Sequence, residues 1–305
     1  MKITQKAEKV FIGIDVHLRS YSVACVIDSE VVKKCRMKAG SLELLKFIQT
    51  YYPEQEIHTV YEAGFSGFGL HRALEEAGYK SIVINAGSVE VASGDRVKTD
   101  KRDATKLAIQ LSAKRLRAIR IPTLEEESRR QITRTRQQLV GQRTRTKIQI
   151  RSKLHYFGLL DPDERREMSF KLVSEVLSRG VSRELDLVVN ALVESWKSLD
   201  QQIKKLEKEL RKQASTDPCE QVYRQLPGIG PLSARILSNE VGDLSQFTSC
   251  KQLYSYTGLT PSENSSGERI RRGSISRQGN PRLRHILVEA AWTAIRQDPG
   301  LRLDF

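Results

Sequence analysis

The chain has 305 residues, enough for two domains, or three with a helical connector, and its 39% hydrophobic and 29% charged residues exclude a disordered chain and a membrane protein alike. Lysine and arginine number 51 against 37 acids, a net charge of +14 that suits a polyanionic partner, nucleic acid first. Residues 1–6 lack the apolar stretch of a secretion signal, so a cytoplasmic protein without a membrane partner is expected. Cys25, Cys35, Cys219 and Cys250 lack disulfide or zinc-site spacing.

Residues 10–16, 22–27 and 31–37 are short β-rich runs, followed by an amphipathic helix over 42–52 and a strand over 57–61. A helix over 68–77, a strand over 81–84 and a helix over 104–114 complete the order βββαβαβα. Three antiparallel strands followed by helical crossovers predict a mixed sheet flanked by helices, an α/β domain over residues 1–122. Residues 123–216 read as a basic helical and coiled-coil connector, and 217–305 as a mainly helical C-terminal domain.

Asp15 interrupts Phe11-Ile12-Gly13-Ile14, a run suited to a central strand, and burying a lone carboxylate costs several kcal/mol unless a cation or partner offsets it. Glu62 repeats the pattern where a strand gives way to Ala63-Gly64, and strand ends are where sites are assembled. Asp100 and Asp103 stand at i, i+3 on or just before a helix, flanked by Lys98 and Arg102, which are placed with the nucleic-acid contacts. Four hard oxygen donors suit Mg2+, and two such ions can activate an attacking oxygen and stabilise a leaving one at a phosphodiester. The plainer alternative is that Asp100 and Asp103 favour the helix dipole and pair with Lys101 or Arg102. Acids in the first strand, at the end of the fourth and on the last helix resemble the ribonuclease H-like fold of RuvC-type resolvases.

Between Glu127 and Asp161 there is no acid, while Arg129, Arg130, Arg134, Arg136, Arg143, Arg145, Lys147, Arg151 and Lys153 are packed inside. The i, i+4 spacings in this stripe let one helix face follow a phosphate backbone, unless it is simply a solvated face. Leu185, Val189, Leu192, Trp196, Leu199, Ile203, Leu206 and Leu210 form a heptad seam, open to self-association or to packing within the chain.

Leu226-Pro227-Gly228-Ile229-Gly230 resembles the turn of a helix-hairpin-helix, in which Gly228 and Gly230 would let backbone N–H groups approach a phosphate; an ordinary glycine turn is the alternative. Further on, Gly258-Leu259-Thr260-Pro261 precedes a polar loop holding Ser265, Ser266 and Gly267, followed by Arg269, Arg271, Arg272, Arg277, Arg282 and Arg284.

With Gly13-Ile14-Asp15, Tyr61-Glu62-Ala63 and Lys98-Thr99-Asp100-Lys101-Arg102-Asp103-Ala104, these motifs span nearly the whole chain. In this order they resemble the DEDD-type transposases of bacterial insertion sequences, relatives of the Piv and MooV invertases whose studied members are recombinases guided by a bridge RNA. The resemblance implies Asp15, Glu62, Asp100 and Asp103 as Mg2+ ligands and Ser266 as the nucleophile that attacks a DNA phosphate. Ser265 is its neighbour and alternative. It further implies DNA and a structured guide RNA as partners, and a dimer or tetramer whose composite site joins acids of one subunit to the serine of another, held by the coiled coil. Similar proteins continue past the position of Phe305 through another basic helical stretch, so a shortened copy is an expectation here. A RuvC-like nuclease using activated water, and a non-catalytic nucleic-acid-binding relic, are the competing functions.

Overall fold

The computed structural model describes residues 8–85, 87, 100–263, 265 and 269–303, and of Asp100, Lys101, Pro299 and Leu303 the backbone alone. The chain divides into two compact units, Met1–Ile121 and Pro122–Phe305.

In the first unit β1 (Lys9–Val16), β2 (Ser20–Ile27) and β3 (Glu30–Lys38) form an antiparallel meander. Asp28 and Ser29, at φ 48° and 68°, make the two-residue turn between β2 and β3, and two left-handed residues in succession match the twist of a tight hairpin. After α1 (Ser41–Tyr51), β4 (Glu56–Glu62) joins β1 in parallel. After α2 (Gly69–Glu76), β5 (Lys80–Ile84) joins β4, also in parallel. The sheet order is β3-β2-β1-β4-β5, so β1 is central. The mixed sheet and the βββαβαβα succession are those expected from the sequence.

Period-two alternation sends the apolar residues of the central strands β1, β2 and β4 to both faces of the sheet. Val10, Ile12 and Ile14 of β1 pack with Leu44 and Ile48 of α1 and Leu70 and Leu74 of α2 on one side. On the other side, α3 (Asp100–Ser112) covers Phe11, Ala24 and Val26 with Ala104 and Ala108, and Val60 and Ile84 with Leu107. α3 starts at Asp100, four residues before the start expected from the apolar periodicity, which cannot detect a polar first turn whose acids suit the helix N-terminus. Gly13 is essential to this packing. A Cβ there would lie 2.1 Å from the Ala104 carbonyl oxygen and 2.5 Å from the Ala108 nitrogen, so only glycine lets α3 lie directly on the central strand.

The second unit opens with α4 (Leu124–Tyr156), started by a reciprocal capping box: the Thr123 hydroxyl accepts from the Glu126 N–H at 3.1 Å, and the Glu126 carboxylate accepts from the Thr123 N–H at 2.8 Å. α5 (Phe170–Leu177) and α6 (Arg183–Ala214) follow. α6 runs antiparallel to α4, since the α4 residues 136, 143 and 147 meet 207, 200 and 196 of α6 in turn. Leu185, Val189, Val193 and Trp196 bury themselves with Ile150 and Leu154 of α4 and with Leu172, Val173 and Val176 of α5, and Phe170 stacks on Trp196 at 4.0 Å. The heptad seam is thus taken up, along this half, by packing within the chain. Along this half the partner is the preceding helix α4, the packing within the chain that was one of the two expectations.

α7 (Pro218–Arg224), α8 (Pro231–Val241), α9 (Cys250–Thr257) and α10 (Pro281–Gln297) surround a separate apolar core of Tyr223, Ile229, Leu237 and Leu283. A small hairpin of β6 (Pro261–Glu263) and β7 (Arg272–Ile275) projects between α9 and α10, and α11 (Pro299–Leu303) follows. Among the described residues no helix is long and apolar enough to cross a membrane, and all four cysteines are free.

Candidate active site

Asp15 and Glu62 stand at the ends of adjacent parallel strands, one step beyond the paired residues Ile14 and Tyr61. Alternation places both on the sheet face that α3 covers, with Gly13 and Val60 as their same-face neighbours. Asp103 lies in the first turn of α3, directly before Ala104, whose carbonyl rests on Gly13. Asp15 and Glu62 thus share the sheet face on which α3 lies, and Asp103 stands in the first turn of that helix. The Asp100 side chain, Lys98, Thr99, Ser266 and Gly267 lie outside the described residues. Among the described residues no three His, Cys, Asp or Glu side chains form a group able to hold a metal. The donor set nevertheless fits a hard cation in kind, with carboxylate oxygens and no thiolate.

His17 was missed by sequence reasoning. Its Nε2 lies 3.0 Å from Asp15 Oδ2, with the Asp15 side chain 22% exposed. Its signal was only the i, i+2 spacing, which says little once the strand has ended.

In the second unit several cations of the acid-free basic stripe meet acids from outside it. Arg134 forms a bidentate pair with the fully buried Glu240 of α8, both bonds 2.8 Å. Arg136 meets Glu207 at 2.7 Å and Arg143 meets Asp200 at 2.9 Å, both on α6. Lys147 meets Glu167 at 2.7 Å and sits over the Trp196 ring at 4.8 Å. Arg129 pairs with Glu125, Arg130 donates to the Asn239 carbonyl at 2.9 Å, and Arg151 donates to the carbonyls of Glu164 and Arg166. Arg145 remains exposed without an ion pair among the described residues. For Arg134, Arg136, Arg143 and Lys147 the counter-charges missing from the stripe are supplied by acids of α8, α6 and the segment after α4.

Gly228, at φ 77°, has its missing side chain filled by α10: a Cβ would meet the Ala290 carbonyl oxygen at 2.1 Å. Gly230 is exposed and is the N-cap of α8, with no side-chain cap. Arg102, Arg269, Arg271 and Arg272 are exposed.

The hairpin that carries the serines is fixed at its base. The N–H groups of Ser276, Arg277 and Asn280 donate to the carbonyls of Thr260, Gly258 and Tyr256 at 2.8, 3.1 and 3.1 Å. Arg284 Nη1 donates to the Thr257 carbonyl at 3.0 Å. Asn280, the N-cap of α10, donates from its amide to Glu240 at 2.8 Å, so Glu240 ties α4, α8 and the hairpin's exit together. Sequence reasoning passed over Glu240 because an acid in the eleven-residue α8 reads as solvated. Ser265 donates from its hydroxyl to Glu263 at 2.7 Å and accepts from the Arg271 N–H at 3.2 Å.

Two family models match along this architecture. One, described as a DEDD transposase of the IS110 type, covers residues 12–157; the other, described as a transposase of the IS116/IS110/IS902 family, covers 220–304. A putative transposase, y4rJ of Sinorhizobium fredii, is 32% identical over 89% of this chain and 71% of the relative. The chain belongs to the IS116/IS110/IS902 transposase family. Like other members of this family it is an enzyme that cleaves and rejoins DNA. The y4qE putative transposase of the same organism is 29% identical over 93% of this chain and 72% of its own length. The transposase of insertion sequence element IS1533 from Leptospira borgpetersenii is 27% identical over 93% of this chain and 85% of its own length. Among solved structures, Thermus thermophilus RuvC in complex with a Holliday junction substrate matches 36% of this chain and 99% of its own, at 9% identity and a TM-score of 0.27, a score that carries no weight here.

Proposed function

We propose that this transposase cuts DNA at the carboxylates of its first unit. The observation that supports the reading is that Asp15 and Glu62 share one face of the sheet and that Asp103 stands in the first turn of α3, the helix seated on that face at Gly13. Asp15, Glu62 and Asp103, joined by Asp100, would hold a divalent cation, Mg2+ by donor type. Such a cation, when bound, stabilises the charge that develops on phosphate oxygens. His17 orients the Asp15 carboxylate through their hydrogen bond. The sheet order β3-β2-β1-β4-β5, with only the first three strands antiparallel, supports a ribonuclease H-like assignment for residues 1–122. The connector over 123–216 and the C-terminal domain over 217–305 complete this division.

Ser266 is assigned as the nucleophile, supported by its place before Gly267 in the motif and by the engagement of Ser265 within the hairpin. A serine hydroxyl is weak until a base or metal assists it, which is the physical reason for bringing acids to it. Capture of the phosphate as a phosphoserine would keep a phosphodiester for rejoining. The α7-turn-α8 segment is assigned as a helix-hairpin-helix. A structured guide RNA, a homo-oligomer and a cytoplasmic location belong to the same reading and rest on the motif resemblance.

Incubation with magnesium and end-labelled element-junction DNA tests it. The wild type should cut and leave a protein–DNA adduct that survives denaturation, Asp15→Asn should do neither, and Ser266→Ala should form no adduct. Cutting by Asp15→Asn at the wild-type rate would remove the carboxylate assignment; full cutting by Ser266→Ala would make the enzyme a hydrolytic nuclease.

A further inference from the structure

The C-terminal half of α6 bears a second basic surface, absent from the sequence-derived contacts. Lys197, Lys204, Lys208 and Arg211 fall at i, i+7, i+11 and i+14, which puts them in one row along the helix. At a rise of 1.5 Å per residue the row is about 21 Å long. Lys205 and Lys212 lie beside it, and all six are exposed. Between Lys197 and Ala214 the acids are Asp200, Glu207 and Glu209. The first two turn to α4, where Arg143 and Arg136 take them. Glu209 alone is left on the solvent side with six cations. Lys204, Lys205, Lys208, Arg211 and Lys212 have no ion-pair or hydrogen-bond partner for their side chains among the described residues, and Lys197 has only the surface pair with Glu194 at 2.8 Å.

This is the reverse of α4. There the cations are numerous but answered by acids of α6, α8 and the segment after α4; on α6 the acids are used inward and the cations are left outward. Like charges at i, i+4, such as Lys204 with Lys208 and Lys208 with Lys212, weaken a helix unless a polyanion relieves them. An extended row of flexible cationic side chains without aromatic side chains between them suits a continuous phosphate backbone rather than splayed bases. We propose that the outward face of α6, from Lys197 to Lys212, is the surface on which this transposase holds duplex DNA through its phosphates, without reading sequence. The inference rests on DNA being the substrate of the family and is independent of the carboxylate and serine assignments.

The test is binding, measured by fluorescence anisotropy of a 30-base-pair duplex of arbitrary sequence across a KCl series without magnesium, so that loss of cutting cannot imitate loss of binding. The full-length chain carrying Lys204→Gln, Lys208→Gln and Arg211→Gln is compared with a charge-matched control carrying Lys34→Gln, Lys38→Gln and Arg117→Gln, all exposed in the first unit. The slope of log affinity on log salt should fall by about one per lost contact, hence by about three, with affinity roughly a hundredfold weaker at 0.1 M salt. The control should change neither by more than a fraction of that. An unchanged slope in the α6 variant, or an equal loss in the control, would overturn the proposal. A structured RNA that competes with the duplex and loses the same slope would show that RNA is the occupant, which also overturns it. Unchanged thermal unfolding of the α6 variant would confirm that the substitutions act on an intact helix.

Discussion

Glu240 is wholly buried, and burial alone would raise its carboxyl; the hydrogen bonds and charge of Arg134, with the Asn280 amide, outweigh that and hold it below the ordinary carboxylate range. A carboxyl whose folded value is depressed contributes stability above its unfolded value of about 4.3, and that contribution is lost as pH falls through the folded value. Urea unfolding of Glu240→Gln should therefore show a loss of about 3–5 kcal/mol at neutral pH, the usual cost of breaking a buried pair from one side. The difference from wild type should shrink as pH drops below about 4. A constant difference across that range would mean that Glu240 is not ionised in the folded chain. This residue was illegible in the sequence, since only the fold sets an acid of α8 opposite an arginine of α4. Asp15 was legible for the opposite reason: an ionised group in an otherwise apolar strand is conspicuous from its immediate neighbours alone. Ser265 and Ser266 stand side by side in the sequence, and no elementary argument from residue type separates them.

At the scale of elements, the βββαβαβα order followed from local periodicity, because period-two runs and their tight turns are visible in short windows. The position of α3 on the sheet did not, because it depends on one long-range contact at Gly13. Gly13→Ala tests that contact. The methyl must displace the backbone of α3, so thermal or urea unfolding should report roughly 1–3 kcal/mol of destabilisation, and DNA cutting should fall further than stability does, because Asp103 moves with α3. A stable, fully active Gly13→Ala would mean that α3 need not touch β1. The seam on α6 teaches the same lesson: heptad spacing announces a partner helix and leaves open which one, and the preceding helix α4 supplies it along the N-terminal half of α6. The two glycines of the turn before α8 divide likewise, with Gly228 required by the α10 backbone and Gly230 left at an exposed helix start.

For the molecule as a whole, the net charge of +14 identified the kind of partner but not the surface that meets it. A linear count of charge credits α4 and overlooks α6, because it cannot see which acids are turned inward. The proposed chemistry assigns hard oxygen donors to the first unit and the serine loop to the second, where Asn280, the N-cap of α10, is held by Glu240. The most direct measurement replaces magnesium with ferrous iron, adds peroxide and ascorbate, and maps by mass spectrometry where the bound metal's hydroxyl radicals cut the protein backbone. The account predicts cuts clustered near residues 13–17, 60–64 and 100–104, suppressed by excess magnesium and absent in Asp15→Asn. Cuts elsewhere, or the same pattern in Asp15→Asn, would contradict the assignment of the metal to this sheet face.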